Sequence, residues 1–181
     1  MRLFAAIVPP PAVLEHLEAA VAPVRDDELK WTYANAWHLT LAFYGELADD
    51  RVPELVERLE RAAGRHRAVE LGFAGAGRFG SRVLWVGCAG ELDVLRSLAR
   101  SCAAAGRRVG AAVDEKRPFR AHVTLARARR PVNLRPYVDT LAGYAGPTWT
   151  ARQLVLVRSD LGAGEGGRPR YETQSAFDLP G

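Results

Sequence analysis

The sequence predicts an α+β fold of two pseudo-symmetric lobes, each a mainly antiparallel sheet with helices on its outer face and a polar cleft between them. Three observations predict it. Strand-like and helical stretches follow one another along the 181 residues in an order that repeats loosely in the two halves. One tetrapeptide pattern, His-x-Thr-Leu, stands once in each half, as His38-Leu39-Thr40-Leu41 and His122-Val123-Thr124-Leu125. Hydrophobic residues make up 48% of the chain, enough to bury a proper core within a single two-lobed domain over residues 1–181.

The elements justify themselves in order. Leu3 to Val8 is a short apolar run that reads as a buried strand, and Pro9-Pro10-Pro11 breaks it. Proline is tolerated in the first helical turn, and Val13, Leu17 and Val21 then recur at helical spacing. Trp37 to Tyr44 carries the first motif and has strand character. Asp49-Asp50 offers a cap for a helix with the stripe Leu55, Val56, Leu59 and Ala63, ending at Gly64. Val69 to Ala74 and Arg82 to Gly87 read as strands, joined by the run Gly75-Ala76-Gly77-Arg78-Phe79-Gly80. Those glycines are no nucleotide loop, because such a loop needs a strand before it and a helix after it. Leu92, Leu95, Ala99 and Cys102 give a third helical stripe closed by Gly106, and the second motif follows in Ala121 to Ala126. Asn133, Leu134, Val138 and Leu141 suggest a fourth, shorter helix. Gln153 to Val157 is a strong strand, Gly162 to Gly167 a loop, and Tyr171 to Phe177 the last strand.

Side chains on a strand alternate between its two faces. His38 and Thr40 therefore share one face, as do His122 and Thr124, while Leu39, Leu41, Val123 and Leu125 share the other. If the leucine face is covered by helices, two imidazoles and two hydroxyls are left to line a polar cleft.

The bulk properties narrow what such a cleft serves. Lys and Arg total 25 against 21 Asp and Glu, a net charge of +4, and nearly all the basic residues are Arg, which suits planar, bidentate contact with anionic groups. Cys88 and Cys102 form no disulfide framework and read as buried, reduced thiols. The amino-terminal apolar stretch is too short for a signal peptide, and no segment is long enough to span a bilayer, so a cytoplasmic protein with no membrane contact is expected.

Two histidines are too few ligands for a metal site, and neither motif has His-x-His or His-x3-His spacing, so no metal is expected. A nucleophilic triad is poorly supported, since both cysteines lie in apolar runs and no Ser occupies a strand-to-helix elbow. Paired histidines do suit in-line displacement at phosphorus. One imidazole takes a proton from the attacking water and the other gives one to the departing oxygen, both near neutral pH. Thr40 and Thr124 are placed to donate hydrogen bonds to the non-bridging oxygens, where charge builds.

Beyond the two motifs, Arg2-Leu3-Phe4, Phe43-Tyr44-Gly45-Glu46, Arg82-Val83-Leu84-Trp85-Val86-Gly87 and Val157-Arg158-Ser159-Asp160-Leu161-Gly162 complete a pattern that covers nearly the whole chain. It resembles the two-histidine phosphoesterase superfamily, and within it the RNA 2′,3′-cyclic phosphodiesterases, historically called 2′-5′ RNA ligases. Ala121 stands where that family often has proline, and Trp37 where a smaller apolar residue is common. The resemblance implies cofactor-free hydrolysis of a terminal 2′,3′-cyclic phosphate on RNA to a 2′-phosphomonoester. No obligate protein partner is evident in the sequence, and a monomer is expected. The resemblance makes His38 the proton donor and His122 the proton acceptor, although the residues alone leave the two roles exchangeable. Small cyclic nucleotides, 2′-5′ linked oligonucleotides, or binding of RNA or nucleotide without turnover are the alternatives.

The resemblance further makes Arg127 a phosphate contact. Position 127 has the parity of Val123 and Leu125, so this role requires the strand to end, twist or bulge, and Arg130 has the correct parity otherwise. Phe43 stands five residues after His38, as Arg127 stands five after His122. A similar bend brings its ring to the cleft to stack on a nucleobase; without one it is a core aromatic. The remaining arginines guide RNA or form a solvated face.

Overall fold

Proline ends the first apolar run where expected, and such runs assemble into two antiparallel sheets. The computed structural model describes residues 1–180. The first sheet has the order β3-β1-β8-β9, formed by β1 (Arg2–Ile7), β3 (Leu39–Glu46), β8 (Gln153–Asp160) and β9 (Arg170–Asp178). The second has the order β2-β6-β5-β4-β7, formed by β2 (Lys30–Trp31), β4 (Val69–Phe79), β5 (Val83–Gly90), β6 (His122–Arg127) and β7 (Ala145–Ala151). β3 is an edge strand of the first sheet, β6 lies one in from the edge of the second with only the two-residue β2 outside it, and the two motif strands pack beside each other.

Four helices cover the outer faces: α1 (Pro11–Val21), α2 (Val52–Gly64), α3 (Leu92–Arg108) and α4 (Arg135–Leu141). The stripes read from sequence are buried at Val13, Leu17 and Val21 on α1, Leu55, Leu59 and Ala63 on α2, and Leu95, Ala99 and Cys102 on α3, while Val56 and Leu92 are half-buried at their margins. Two helices cross over. α1 leaves β1 of the first sheet and packs on β7 of the second, whereas α3 leaves β5 of the second and packs on β3 of the first. The pseudo-symmetric unit is therefore strand, helix, motif strand, as β1-α1-β3 and again as β5-α3-β6. In each unit the two strands pair, and the helix between them seals the opposite lobe. This interleaving explains why the lobes share one interior, in which Leu3, Ala5 and Ile7 of β1 join residues of nearly every other element. The other face of the first sheet carries a separate small cluster of Phe4, Ala6, Val155 and Val157.

Four details depart from the sequence reading. β4 does not end at Ala74 but runs on through the glycine stretch to Phe79, with a register shift between Phe73 and Ala76 where Gly75 takes φ +71°. Gly106 does not close α3. It is buried within the helix, where a Cβ would lie 2.5 Å from the Tyr44 ring, and the chain reverses later at Gly110, φ +82°. Asn133 precedes α4 rather than joining it, its side-chain oxygen accepting from the Arg135 N–H at 3.2 Å. Finally, β2 and β7 have no counterpart in the sequence reading, because β2 is two residues long and β7 buries only Trp149 and Ala151. Both cysteines are free thiols, Cys102 buried and Cys88 half-buried. No described helix is long and apolar enough to cross a membrane.

Candidate functional site

The site begins with two matched irregularities in backbone pairing. In β6, Thr124 lies opposite Trp85 and Ala126 opposite Leu84, so Leu125 is an extra residue with no partner. In β3, Thr40 lies opposite Ala6 and Ala42 opposite Ala5, so Leu41 is extra in the same way. A bulge of this kind lets two successive side chains share a face and returns the next to the opposite one. Leu125 and Ala126 are both fully buried, as Leu41 and Ala42 are nearly so. Arg127 and Phe43 are thereby exposed on the face of Thr124 and Thr40. The parity objection to Arg127 disappears, and Phe43 is not a core aromatic. Its ring lies on the open face with the Arg2 guanidinium 4.5 Å from its centroid. Arg130 lies past the end of β6.

What stabilises the second bulge also ties it to the first motif. The unpaired Leu125 carbonyl accepts from both the N–H (2.9 Å) and the hydroxyl (3.0 Å) of Thr32. The Thr32 hydroxyl also reaches the Thr124 carbonyl at 2.7 Å and accepts the indole N–H of Trp37 at 2.9 Å. Trp37, which departs from the expected smaller residue, thus anchors the residue next to His38 onto the strand that carries His122.

His38 itself lies just before β3. Its imidazole stacks on Phe4 at 4.6 Å between centroids and 24° between planes, and meets the edge of Tyr171 at 5.1 Å. Phe4 reaches this face because β1 alternates, Leu3 and Ala5 going to the core, Phe4 and Ala6 to the cleft. Burial pushes the His38 pKa down from 6.5 to about 4, the Ala36 backbone opposes this, and positive charge on His122 adds to it.

His122 is built alike. Its Nδ1–H donates to the Arg120 carbonyl at 2.7 Å, which leaves Nε2 as the basic nitrogen of the neutral ring. Phe79 meets the ring edge-on at 4.9 Å and Trp85 lies 6.0 Å away. Burial again depresses the pKa, the Arg120 carbonyl raises it, and the charges of Arg127 and Arg120 lower it. Each imidazole is thus walled by two aromatic rings, and His122 is held in addition by the Arg120 carbonyl two residues upstream. Thr40 and Thr124 are half-buried on the same face.

Arg2, Phe4, Phe79, Trp85 and Tyr171 belong to this cleft and are absent from the sequence-derived set. The alternation of β1 carries a signal for Arg2 and Phe4. Tyr171 lacks one, because its placement depends on which strand β9 pairs with. Burial raises the Tyr171 pKa, while Arg127 and Arg2 act on it in the opposite sense, so both guanidiniums stand near the phenol. Among the described residues, no three His, Cys, Asp or Glu side chains gather as a metal site would need.

The surrounding chain is similar to known proteins along nearly its whole length. The sequence pattern of the 2′-5′ RNA ligase superfamily matches residues 9–163. The RNA 2′,3′-cyclic phosphodiesterase of Thermus thermophilus is 30% identical, over 100% of this chain and 91% of that protein. The RNA 2′,3′-cyclic phosphodiesterase of Geobacillus stearothermophilus is also 30% identical over 83% of this chain, but the match spans only about half of that relative, 48%. Among solved structures, E. coli LigT in its apo form superposes with a TM-score of 0.80 at 26% identity, covering 99% of this chain and 98% of that one.

Proposed function

The chain belongs to the 2′-5′ RNA ligase superfamily, and on that premise we propose that it hydrolyses terminal 2′,3′-cyclic phosphates on RNA to 2′-phosphomonoesters. The observation that carries the proposal is the duplicated construction of the cleft, in which two bulged motif strands present His, Thr and then Arg or Phe on one open face. A water molecule gives its proton to Nε2 of His122 as its oxygen bonds to phosphorus. The bond from phosphorus to O3′ breaks on the opposite side, and His38 protonates the departing oxygen. Thr40 and Thr124 donate to the non-bridging oxygens, and Arg127 offsets the charge that gathers there. Phe43 offers a stacking surface to a nucleobase. The two imidazoles return to their starting states by exchanging protons with solvent, and the proposed step calls on no metal.

The depressed pKa of His38 fits the donor role only when substrate is present. In the free protein at neutral pH a ring with a pKa of about 4 carries no proton. The negative charge of a bound cyclic phosphate raises that pKa and recruits the proton where it is needed. The apolar rings of Phe4 and Tyr171 hold His38 in a poor solvent for charge, which makes the protonated form a stronger acid. Two free thiols, with pKa values pushed up to about 12 by burial, suit a reducing compartment, and we read the protein as a cytoplasmic monomer.

The test is to incubate the purified protein with RNA ending in a 2′,3′-cyclic phosphate, in EDTA, and to identify the product. A 2′-phosphomonoester is expected, with His38→Ala and His122→Ala both inactive and folded. A 3′-phosphate product, or undiminished turnover in either variant, overturns the reading.

A further inference from the structure

Along β6 the cleft has two ends, and a cavity opens at each. Beyond Arg127 lies one of ≈1060 Å³, between residues 30–36 and the loop that leads into β9. Beside His122 lies a smaller one of ≈680 Å³, walled by Trp85, Phe79 and Arg120. The proposed chemistry distinguishes them. If His38 protonates O3′, the terminal ribose sits at the His38 end, and the strand that continues from its 5′ carbon must leave over the residues next to His38. Ala36, Tyr171 and Arg127 all line the larger cavity. The cavity at the His122 end is then the side from which water arrives.

The larger cavity is built to receive a nucleotide. Its volume is at the top of the roughly 300–1,000 Å³ range of single small-molecule sites, which leaves room for more than one nucleoside. Lys30, Arg127, Arg168 and Arg170 line it against a single carboxylate, Glu165. Asp160 already occupies Arg170 through an ion pair. Tyr33 stands on its wall, 43% exposed, with the Arg168 guanidinium 5.0 Å from the ring centroid. Arg25 lies 4.4 Å from the same ring and bonds Glu18. The Nε of Arg168 is buried with no hydrogen-bond partner among the described residues, an unmet donor on the same side chain. Aromatic rings and guanidinium planes are the surfaces on which single-stranded bases stack.

Resting on the reading above, we propose that this cavity binds the nucleotide on the 5′ side of the cyclic-phosphate end, its base stacked on the Arg168 guanidinium that the Tyr33 ring supports and its phosphate held by Lys30. The substrate is then the end of an RNA strand rather than a free cyclic mononucleotide. Arg168 is delivered from the glycine-rich loop, so that loop serves as one wall of the strand path.

The experiment compares two ligands, a trinucleotide ending in a 2′-phosphate and a nucleoside 2′-monophosphate, by equilibrium titration. In parallel, kcat/KM is measured on their cyclic-phosphate counterparts. The trinucleotide is expected to bind at least tenfold more tightly, with the same preference in kcat/KM. Tyr33→Ala and Arg168→Ala should each reduce that preference about fivefold or more, the range of a base stack, and Tyr33→Phe should restore it. Arg117→Ala, in the cavity at the other end, should leave the ratio where it was. Equal binding of the two ligands, or loss of the preference in Arg117→Ala rather than Tyr33→Ala, overturns the strand path. A binding preference that follows Tyr33 without any hydrolysis retains this site and overturns the proposed activity instead.

Discussion

Trp37 donates its indole N–H to the hydroxyl of Thr32 at 2.9 Å, and through that hydroxyl the first motif is fastened to the backbone of the second at Thr124. The two imidazoles come from residues 84 positions apart in sequence (122 − 38), so a rigid tie between their supports decides whether they face one phosphorus atom. Thr32→Val keeps the shape and removes the hydroxyl. The indole N–H is then left unsatisfied, at a cost of about 1–3 kcal/mol, while the Thr32 N–H still meets the Leu125 carbonyl. Urea unfolding should show a loss of about 2 kcal/mol. Turnover should fall about tenfold with little change in KM, because misplacing one imidazole affects the transition state more than binding. Thr32→Ser should recover both, and an unaltered kcat in Thr32→Val would show that the tie is not needed.

The pH dependence follows from the environments of the two rings. Both pKa values are depressed, that of His38 to about 4, chiefly by burial. Protons therefore leave the pair at lower pH than free imidazole would release them. With both values lowered, the singly protonated form that the reaction uses is most abundant below pH 6.5 in the free protein. The bell in kcat/KM, which reports the free enzyme, should peak below pH 6.5 with its acid limb near 4. The bell in kcat, which reports the substrate complex, should lie at higher pH, since bound phosphate raises both pKa values. A kcat/KM optimum above pH 7 would contradict the burial argument. Phe4→Ala should shift the acid limb upward, because it admits water to the face of His38.

Arg127 shows how far the sequence carried the site and where it stopped. Period-2 alternation put His38, Thr40, His122 and Thr124 on common faces correctly, and the same rule sent Arg127 to the wrong side. A bulge has no composition of its own here, since Leu125 and Ala126 read as two ordinary core residues. Its cause is Thr32, some ninety residues earlier, just past a two-residue strand that no periodicity marks. The helical stripes were legible because each is long enough to repeat. The glycine stretch of β4 was not, because Gly77 sits there for its lack of a side chain beneath Trp85 and reads as a turn when that neighbour is unseen. Fold class needed only the order of elements, whereas the crossed packing of α1 and α3 became visible only with the sheets in place.

With the bulge present, Arg127 can approach a phosphate and Arg130 lies beyond the strand. Arg127→Ala should lower kcat/KM by about 10²-fold, the range for removing one donor to a developing oxyanion, and weaken competitive inhibition by inorganic phosphate. Arg127→Lys should recover little, because a point charge does not reproduce the planar fork of guanidinium. Arg130→Ala should stay within twofold of wild type. If the effects of the two alanine variants were exchanged, β6 would have to pair without its bulge in solution.

Two glycine substitutions separate close approach from simple flexibility. A Cβ on Gly77 would lie 2.3 Å from Cζ2 and 2.4 Å from Cη2 of Trp85, so the indole must move. Trp85 in turn packs against Phe79 and His122, and Arg120, whose carbonyl holds His122, lies over its ring at 5.3 Å. Overpacking of this kind costs about 1–3 kcal/mol, and Gly77→Ala should lose about 2 kcal/mol in urea unfolding together with a drop in kcat. Adding Trp85→Leu should return the stability and not the turnover, since the smaller side chain accepts the methyl but no longer walls His122. At Gly64, the last residue of α2, a Cβ meets nothing within 4 Å, and Gly64→Ala should be neutral or stabilising by about 0.5 kcal/mol. Equal stability of the two single variants would mean that Trp85 does not lie flat against β4, and the aromatic wall of His122 would have to be redrawn.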